Sequence, residues 1–207
     1  TPVGGRLTLV LKDGSQIELN TNTTLRLPAG NIRHAILEKG EAYFQIRHDA
    51  ARPFEVAAGG NRIVDLGTKF SVRASAGSIK VSLIEGSAKV ESENPAESAN
   101  AVILKPGDVA LATASSLTVS RKPQAALADQ LAWRNGMLAF KYATLGEAVA
   151  EFNRYNDTKI VIADPRVAKL TIYGNFPTSD VAGFADAAQV SLKLHVENRK
   201  GVIVITR

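Results

Sequence analysis

Short runs of apolar–polar alternation, closed off again and again by Gly, Asp, Asn or Pro, fill the first 121 residues. Alternation at period two buries one side of a segment and wets the other, which is the signature of a half-buried β-strand. Leu7, Leu9 and Leu11 alternate, Lys12-Asp13-Gly14-Ser15 turns the chain, and Ile17 and Leu19 resume the pattern. Asp-Gly between alternating runs signals a hairpin. Leu25 and Leu27 are stopped by Pro28, residues 32–37 follow, and Lys39-Gly40 predicts a turn before Ala42, Phe44 and Ile46. Residues 48–53 are polar and break the strand, Phe54 and Val56 restart it, and residues 58–61 turn again. Further strands are predicted over residues 79–83, 88–90, 101–104, 109–111 and 117–119, with residues 91–100 as a surface loop. Many short strands with Gly/Asp/Pro turns predict a sandwich or solenoid-like all-β domain. No fixed-period sequence repeat marks a regular solenoid.

Within this half, Leu66, Thr68, Phe70 and Val72 alternate with Gly67, Lys69, Ser71 and Arg73. The period predicts one strand whose inward face carries Leu66 and Phe70 as core and turns the Thr68 hydroxyl inward, directly after a glycine carbonyl. Two roles fit such a hydroxyl. It is either a threonine bonded within the β core or the nucleophile of a scissile Gly–Thr bond.

The pattern changes after Arg121-Lys122-Pro123, which predicts a boundary between a domain of residues 1–121 and one of residues 122–207. A short helix is expected over residues 124–133 and a strand over residues 137–140. Thr144-Leu145-Gly146-Glu147 fits a capping box, with Leu145, Ala148, Val149 and Phe152 as one apolar helical stripe. Strands over residues 159–163 and 170–173 follow. Thr178-Ser179-Asp180 caps a second helix that buries Val181, Phe184, Ala185 and Ala188, and a hairpin over residues 192–205 ends the pattern. The expected fold class is therefore mainly β plus α+β: an all-β domain, then a small β-α-β, β-α-β-β domain. Such a domain leaves strand edges open, and an open edge accepts a partner's strand. The candidate edges are Leu170, Ile172 and Tyr173 in one segment and Val202 and Val204 in the terminal hairpin.

Composition excludes several function classes. With no cysteine there is no disulfide, thiolate nucleophile or Cys-based metal site. The net charge is +5, yet residues 1–123 carry fifteen Lys/Arg against twelve Asp/Glu and residues 124–207 carry ten against eight. The excess is spread over both halves with no basic stripe, which argues against nucleic acid. His34, His48 and His195 have no paired-ligand spacing, and no phosphate-binding or nucleophile-elbow motif occurs, so no metal or cofactor is expected. Asp49, Asp65 and Glu85 are possible catalytic carboxylates without a stated pairing, and a turnover enzyme is not indicated. Trp133 reads as a packing anchor at the junction. No run approaches the length needed to cross a bilayer. A carbohydrate-binding β-sandwich would need an exposed aromatic platform, and only 6% of the residues are aromatic.

Several motifs in order resemble the FecR family: Leu11-Lys12-Asp13-Gly14-Ser15, residues 37–46 with Arg52-Pro53-Phe54, Leu66-Gly67-Thr68-Lys69-Phe70, Glu85-Gly86, and Lys105-Pro106-Gly107-Asp108. Residues 133–140 resemble the family's segment leading into its last domain, and the C-terminal half resembles the short N-terminal domain shared by secretins and TonB-dependent transporters. The resemblance implies a periplasmic receiver in a single-pass inner-membrane anti-sigma regulator of a Gram-negative cell. Its cytoplasmic segment and membrane helix would precede Thr1. The implied partners are the periplasmic signalling domain of a TonB-dependent outer-membrane transporter and an extracytoplasmic-function sigma factor, with a periplasmic protease as a further one. The implied signal is iron–siderophore uptake. In some members the Gly-Thr bond breaks by an N–O acyl shift, and the matching bond here is Gly67–Thr68. A secretin-type envelope assembly module is the alternative, which residues 37–70 disfavour.

Overall fold

The alternating runs form strands β1 (Leu7–Val10), β2 (Gln16–Leu19), β3 (Thr24–Arg26), β4 (His34–Gln45), β5 (Phe54–Ala58) and β6 (Asn61–Asp65). They continue as β7 (Lys69–Ser75), β8 (Ser78–Glu85), β9 (Ala88–Ser92), β10 (Val102–Leu104), β11 (Asp108–Thr113) and β12 (Leu117–Arg121). This computed structural model describes residues 1–30, 32–65, 67–94 and 101–207. The chain divides into two units, Thr1–Pro2 with Arg6–Leu127 and Val3–Gly5 with Ala128–Arg207.

Lys39-Gly40 does not turn the chain; it lies inside the unbroken strand β4. Gly40 has φ +90°, and a Cβ there would sit 2.3 Å from the Thr23 hydroxyl oxygen and 2.6 Å from Thr23 Cα. Only glycine fits both the conformation and the space. The pairing with β3 slips between Thr24 and Leu25 opposite this point, a bulge that bends the strand. The first half of β4 pairs with β3 and β5, and the second half pairs with β2 and β7. One bent strand thus belongs to both halves of a curled sheet whose main path runs β10-β9-β6-β5-β4-β7-β8-β11-β12. Along this path the strands pair antiparallel except β4 with β5, so they do not stack as parallel solenoid coils.

Both halves fill one core. Phe44, Phe54 and Phe70 are fully buried, and Phe44 stacks on its cross-strand partner Phe70 with ring centroids 4.9 Å apart. Cross-strand aromatic pairs of this kind stabilise beyond the area they bury.

The predicted strand over residues 66–73 is shorter than the alternation suggested. Strand β6 ends at Asp65 and pairs with β5 and β9; β7 begins at Lys69 and pairs with β4 and β8. The chain changes halves of the sheet between them. Phe70 and Thr68 point inward as expected, while the core role expected of Leu66 lies outside the described residues. Residues 95–100 of the predicted loop also lie outside them. Glu91 and Ser92 are not loop but the end of β9, and Glu91 is buried between Lys89 and Arg62. Hydrogen bonds from Lys89 and Arg62 hold the Glu91 carboxyl below its usual range.

The second half begins near helix α1 (Gln124–Gln130), which stops short of Trp133; that residue is buried in a short 3-10 turn, Ala132–Asn135. Strand β13 (Met137–Thr144), α2 (Leu145–Tyr155), β14 (Lys159–Ile162), β15 (Thr171–Pro177), α3 (Val181–Leu192), β16 (His195–Arg199) and β17 (Val202–Thr206) give the expected β-α-β, β-α-β-β order. The capping box forms in full: Glu147 N–H donates to Thr144 Oγ1 at 3.2 Å and Thr144 N–H to Glu147 Oε2 at 2.8 Å. Asp180 caps α3 by accepting from Gly183 N–H at 2.9 Å. The buried stripes of both helices meet in a cluster of Phe140, Phe152, Phe176 and Phe184, the Phe152 and Phe184 centroids being 4.2 Å apart.

Candidate functional site

The crossover between β6 and β7 is polar and buried, a costly combination unless every group is bonded. Asp65 closes β6 on the same inward parity as Ile63, and 1% of its surface is exposed. Its carboxylate gathers the crossover: Oδ2 accepts from Gly67 N–H at 3.1 Å, and Oδ1 accepts from the Thr68 hydroxyl. The Thr68 carbonyl accepts from Ile46 N–H at 3.0 Å, which ties the crossover to the end of β4.

Glycines let neighbouring chains close on this point. Gly67 has φ +99°, and a Cβ on it would lie 2.4 Å from His48 Nδ1. A Cβ on Gly86 would lie 2.4 Å from the Gly67 carbonyl oxygen and 2.7 Å from Thr68 Cγ2. His48 and the turn after β8 therefore pack directly on the Gly67–Thr68 peptide.

Burial pushes the Asp65 carboxyl up to about 6, against the opposing pull of the Gly67 N–H, the Arg33 and His48 charges and the Thr68 N–H. Arg33, itself buried, donates to Asp13 Oδ2 at 2.5 Å and to the Arg47 carbonyl at 3.1 Å, with its guanidinium 5.8 Å from the Phe54 ring centre. Burial acts to raise the Asp13 carboxyl, but hydrogen bonds from Ser15 together with Arg33 outweigh it and hold the group low. The crossover thus carries a nucleophile-type hydroxyl on a carboxylate whose pKa lies near neutrality.

Of the three carboxylates singled out in the sequence, only Asp65 belongs to this site. Asp49 pairs with Arg52 at 2.8 Å and Glu85 with Lys69 at 2.6 Å, both at the surface. Asp65 was detectable by its parity with Ile63. Arg33, His48 and Gly86 carry no local signal, since they reach the site only through the fold. Among the described residues no group of His, Asp and Glu is placed to hold a metal ion.

The strand edges of the second half form a separate candidate site. Its three-stranded sheet runs β14-β17-β16, so β17 is central, and Val202 and Val204 have no open edge to offer. Strand β14 is covered at Ile160, whose N–H donates to Asn153 Oδ1 at 2.8 Å and whose carbonyl accepts from Asn153 Nδ2 at 2.9 Å. Among the described residues, the outer sides of β13, β14, β15 and β16 have no neighbouring strand. Leu170 lies just before β15 and gives its carbonyl to Leu145 N–H at 2.7 Å, and Ile172 is buried. Tyr173 is 66% exposed and Tyr142, on the paired strand β13, is 82% exposed; their rings lie 6.0 Å apart. Tyr142 stands at a bulge with φ +60°, a conformation rare for a bulky residue.

A curled β unit with a buried polar crossover, followed by an α+β unit, defines the class of protein. Residues 1–89 match the model of the family described as FecR protein. This segment of the chain is similar to the FecR family. No curated protein matches the sequence. Two crystal structures of a Parabacteroides distasonis protein assigned as an anti-sigma factor share the fold. The one at 1.65 Å resolution has a TM-score of 0.79 and 23% identity over 99% of this chain and 96% of that one. The one at 2.50 Å has a TM-score of 0.78 and 22% identity over 100% and 96%. Among the described residues no helix is long and apolar enough to cross a membrane.

Proposed function

We propose that this chain is the periplasmic receiver region of an inner-membrane anti-sigma regulator. It binds the periplasmic signalling domain of a TonB-dependent outer-membrane transporter and passes an iron–siderophore uptake signal to an extracytoplasmic-function sigma factor. The match of residues 1–89 to the FecR family model supports the regulatory half of this reading. The receiving half is carried by one observation, the exposed Tyr142–Tyr173 pair on the two-stranded β13-β15 sheet, whose strand β15 has an open outer side. A partner strand laid along β15 gains main-chain hydrogen bonds, and the tyrosines supply rigid aromatic area at little entropy cost. The second half then acts as a secretin/TonB short N-terminal-like domain that offers an edge. A pull-down with the periplasmic signalling domains of the host's transporters tests this. One domain is retained if the proposal holds, and none if it fails.

The Thr68–Asp65 hydrogen bond favours a second property, a single self-cleavage at Gly67–Thr68. The hydroxyl has an acceptor for its proton, and the peptide carbonyl before it belongs to a glycine in a left-handed conformation. One bond breaks once, so this is not turnover.

A further inference from the structure

Given Gly67–Thr68 as a scissile bond, the reading on which this proposal rests, the chemistry needs a base. An un-ionised hydroxyl is a weak nucleophile and is activated by an adjacent acceptor for its proton. We propose that Asp65 is that base, taking the Thr68 hydroxyl proton as Oγ1 attacks the Gly67 carbonyl carbon. The placement is direct: the hydroxyl already donates to Asp65 Oδ1, while Oδ2 holds the Gly67 N–H at 3.1 Å and fixes the carboxylate against the peptide.

The steps balance with water as the sole co-reactant. Thr68 Oγ1 forms a bond to the Gly67 carbonyl carbon, and its proton moves to Asp65. The tetrahedral adduct collapses by breaking the Gly67 C–Thr68 N bond, and Asp65 returns the proton to the departing nitrogen. The product is an ester between the Gly67 acyl group and Thr68 Oγ1, with a free Thr68 amine. Asp65 then accepts a proton from a water that attacks the ester carbonyl. The Thr68 hydroxyl leaves with that proton, giving a Gly67 carboxylic acid that releases its remaining proton to solvent.

The environment suits the task. A base works best with its pKa near the working pH, and burial puts the Asp65 carboxyl at about 6. The charges that face it are Arg33, from the segment before β4, and His48, from the segment after it; Arg33 is itself paired with Asp13. Asp49 and Glu85, which are paired at the surface with Arg52 and Lys69, compete for no part of this role.

The test follows cleavage of the whole chain by denaturing gel and intact mass, with and without hydroxylamine to trap the ester. Wild type is expected to yield fragments 1–67 and 68–207, at a rate that falls as pH drops through about 6. Asp65→Asn, checked for its fold by circular dichroism, is expected to slow cleavage about 100-fold or more, the usual worth of a general base. His48→Gln is expected to keep the inflection, since the titrating group is Asp65. Asp65→Asn cleaving at the wild-type rate overturns the proposal. So does a wild-type rate that is flat across this pH range, a result that does not depend on how any variant folds, and so does an inflection lost in His48→Gln. Wild type that yields neither fragments nor hydroxylamine adduct overturns it in a different way, by removing the scissile bond itself.

Discussion

The Asp65 carboxylate accepts the hydroxyl proton of Thr68 where the chain crosses from one half of the curled sheet to the other. Both residues are almost wholly buried, so the bond sits where an unmatched polar group would be costly. The crossover has a stability consequence apart from any chemistry.

Asp65 has a folded-state pKa raised from 3.8 to about 6, so folding favours its protonated form. Its contribution is whole below the ordinary carboxyl value and is lost as pH rises through about 6. Urea unfolding of wild type and Asp65→Asn reads the effect. From about pH 4 to about pH 7, wild type should lose on the order of 2 kcal/mol relative to the variant. A constant difference would contradict burial as the dominant influence on Asp65.

Gly40→Ala should weaken the first half without touching the crossover. A side chain at φ +90° against Thr23 combines backbone strain with a clash against main chain. The expected cost is about 2 kcal/mol or more, read as a shift in the urea midpoint. An unchanged midpoint would mean that the bend in β4 does not need glycine.

Phe70→Ala removes the ring stacked on Phe44 and leaves a cavity between strands from the same bent sheet. Loss of about 3–5 kcal/mol is expected in equilibrium unfolding. A loss below about 1 kcal/mol would show that the stack is not central to the core.

Val204→Pro is expected to damage the second half itself rather than a binding edge. Val204 pairs with Val161 on one side and Glu197 on the other, so proline would remove a hydrogen bond inside the sheet. Circular dichroism should show a lowered melting transition. An unchanged transition would place β17 at an edge after all.

Much of this fold was legible because burial follows the strand period. The positions of Phe44, Phe54, Phe70 and Val72 in the core and the Thr144–Glu147 capping box were read from local spacing alone. Gly40 misled because Lys-Gly has turn chemistry, while the bulge at Thr24/Leu25 and the close approach of Thr23 that keep it inside β4 come from a segment far away in sequence. Val202 and Val204 misled because a terminal hairpin offers two candidate edge strands and local sequence does not say which one is covered. The unbroken apolar run of residues 202–205 is the mark of a strand flanked on both sides, and β14 supplies the second flank in parallel. Arg33 and His48 reach the crossover only through tertiary packing, which no local pattern encodes.

Calorimetric titration of this chain with the periplasmic signalling domains of the host's TonB-dependent transporters tests the proposed receiver role most directly. Saturable binding is expected, weakened about tenfold or more by Tyr142→Ala and by Tyr173→Ala, as for aromatic anchors at the centre of an interface. Absence of binding, or equal affinity in both variants with the fold intact, would contradict the account.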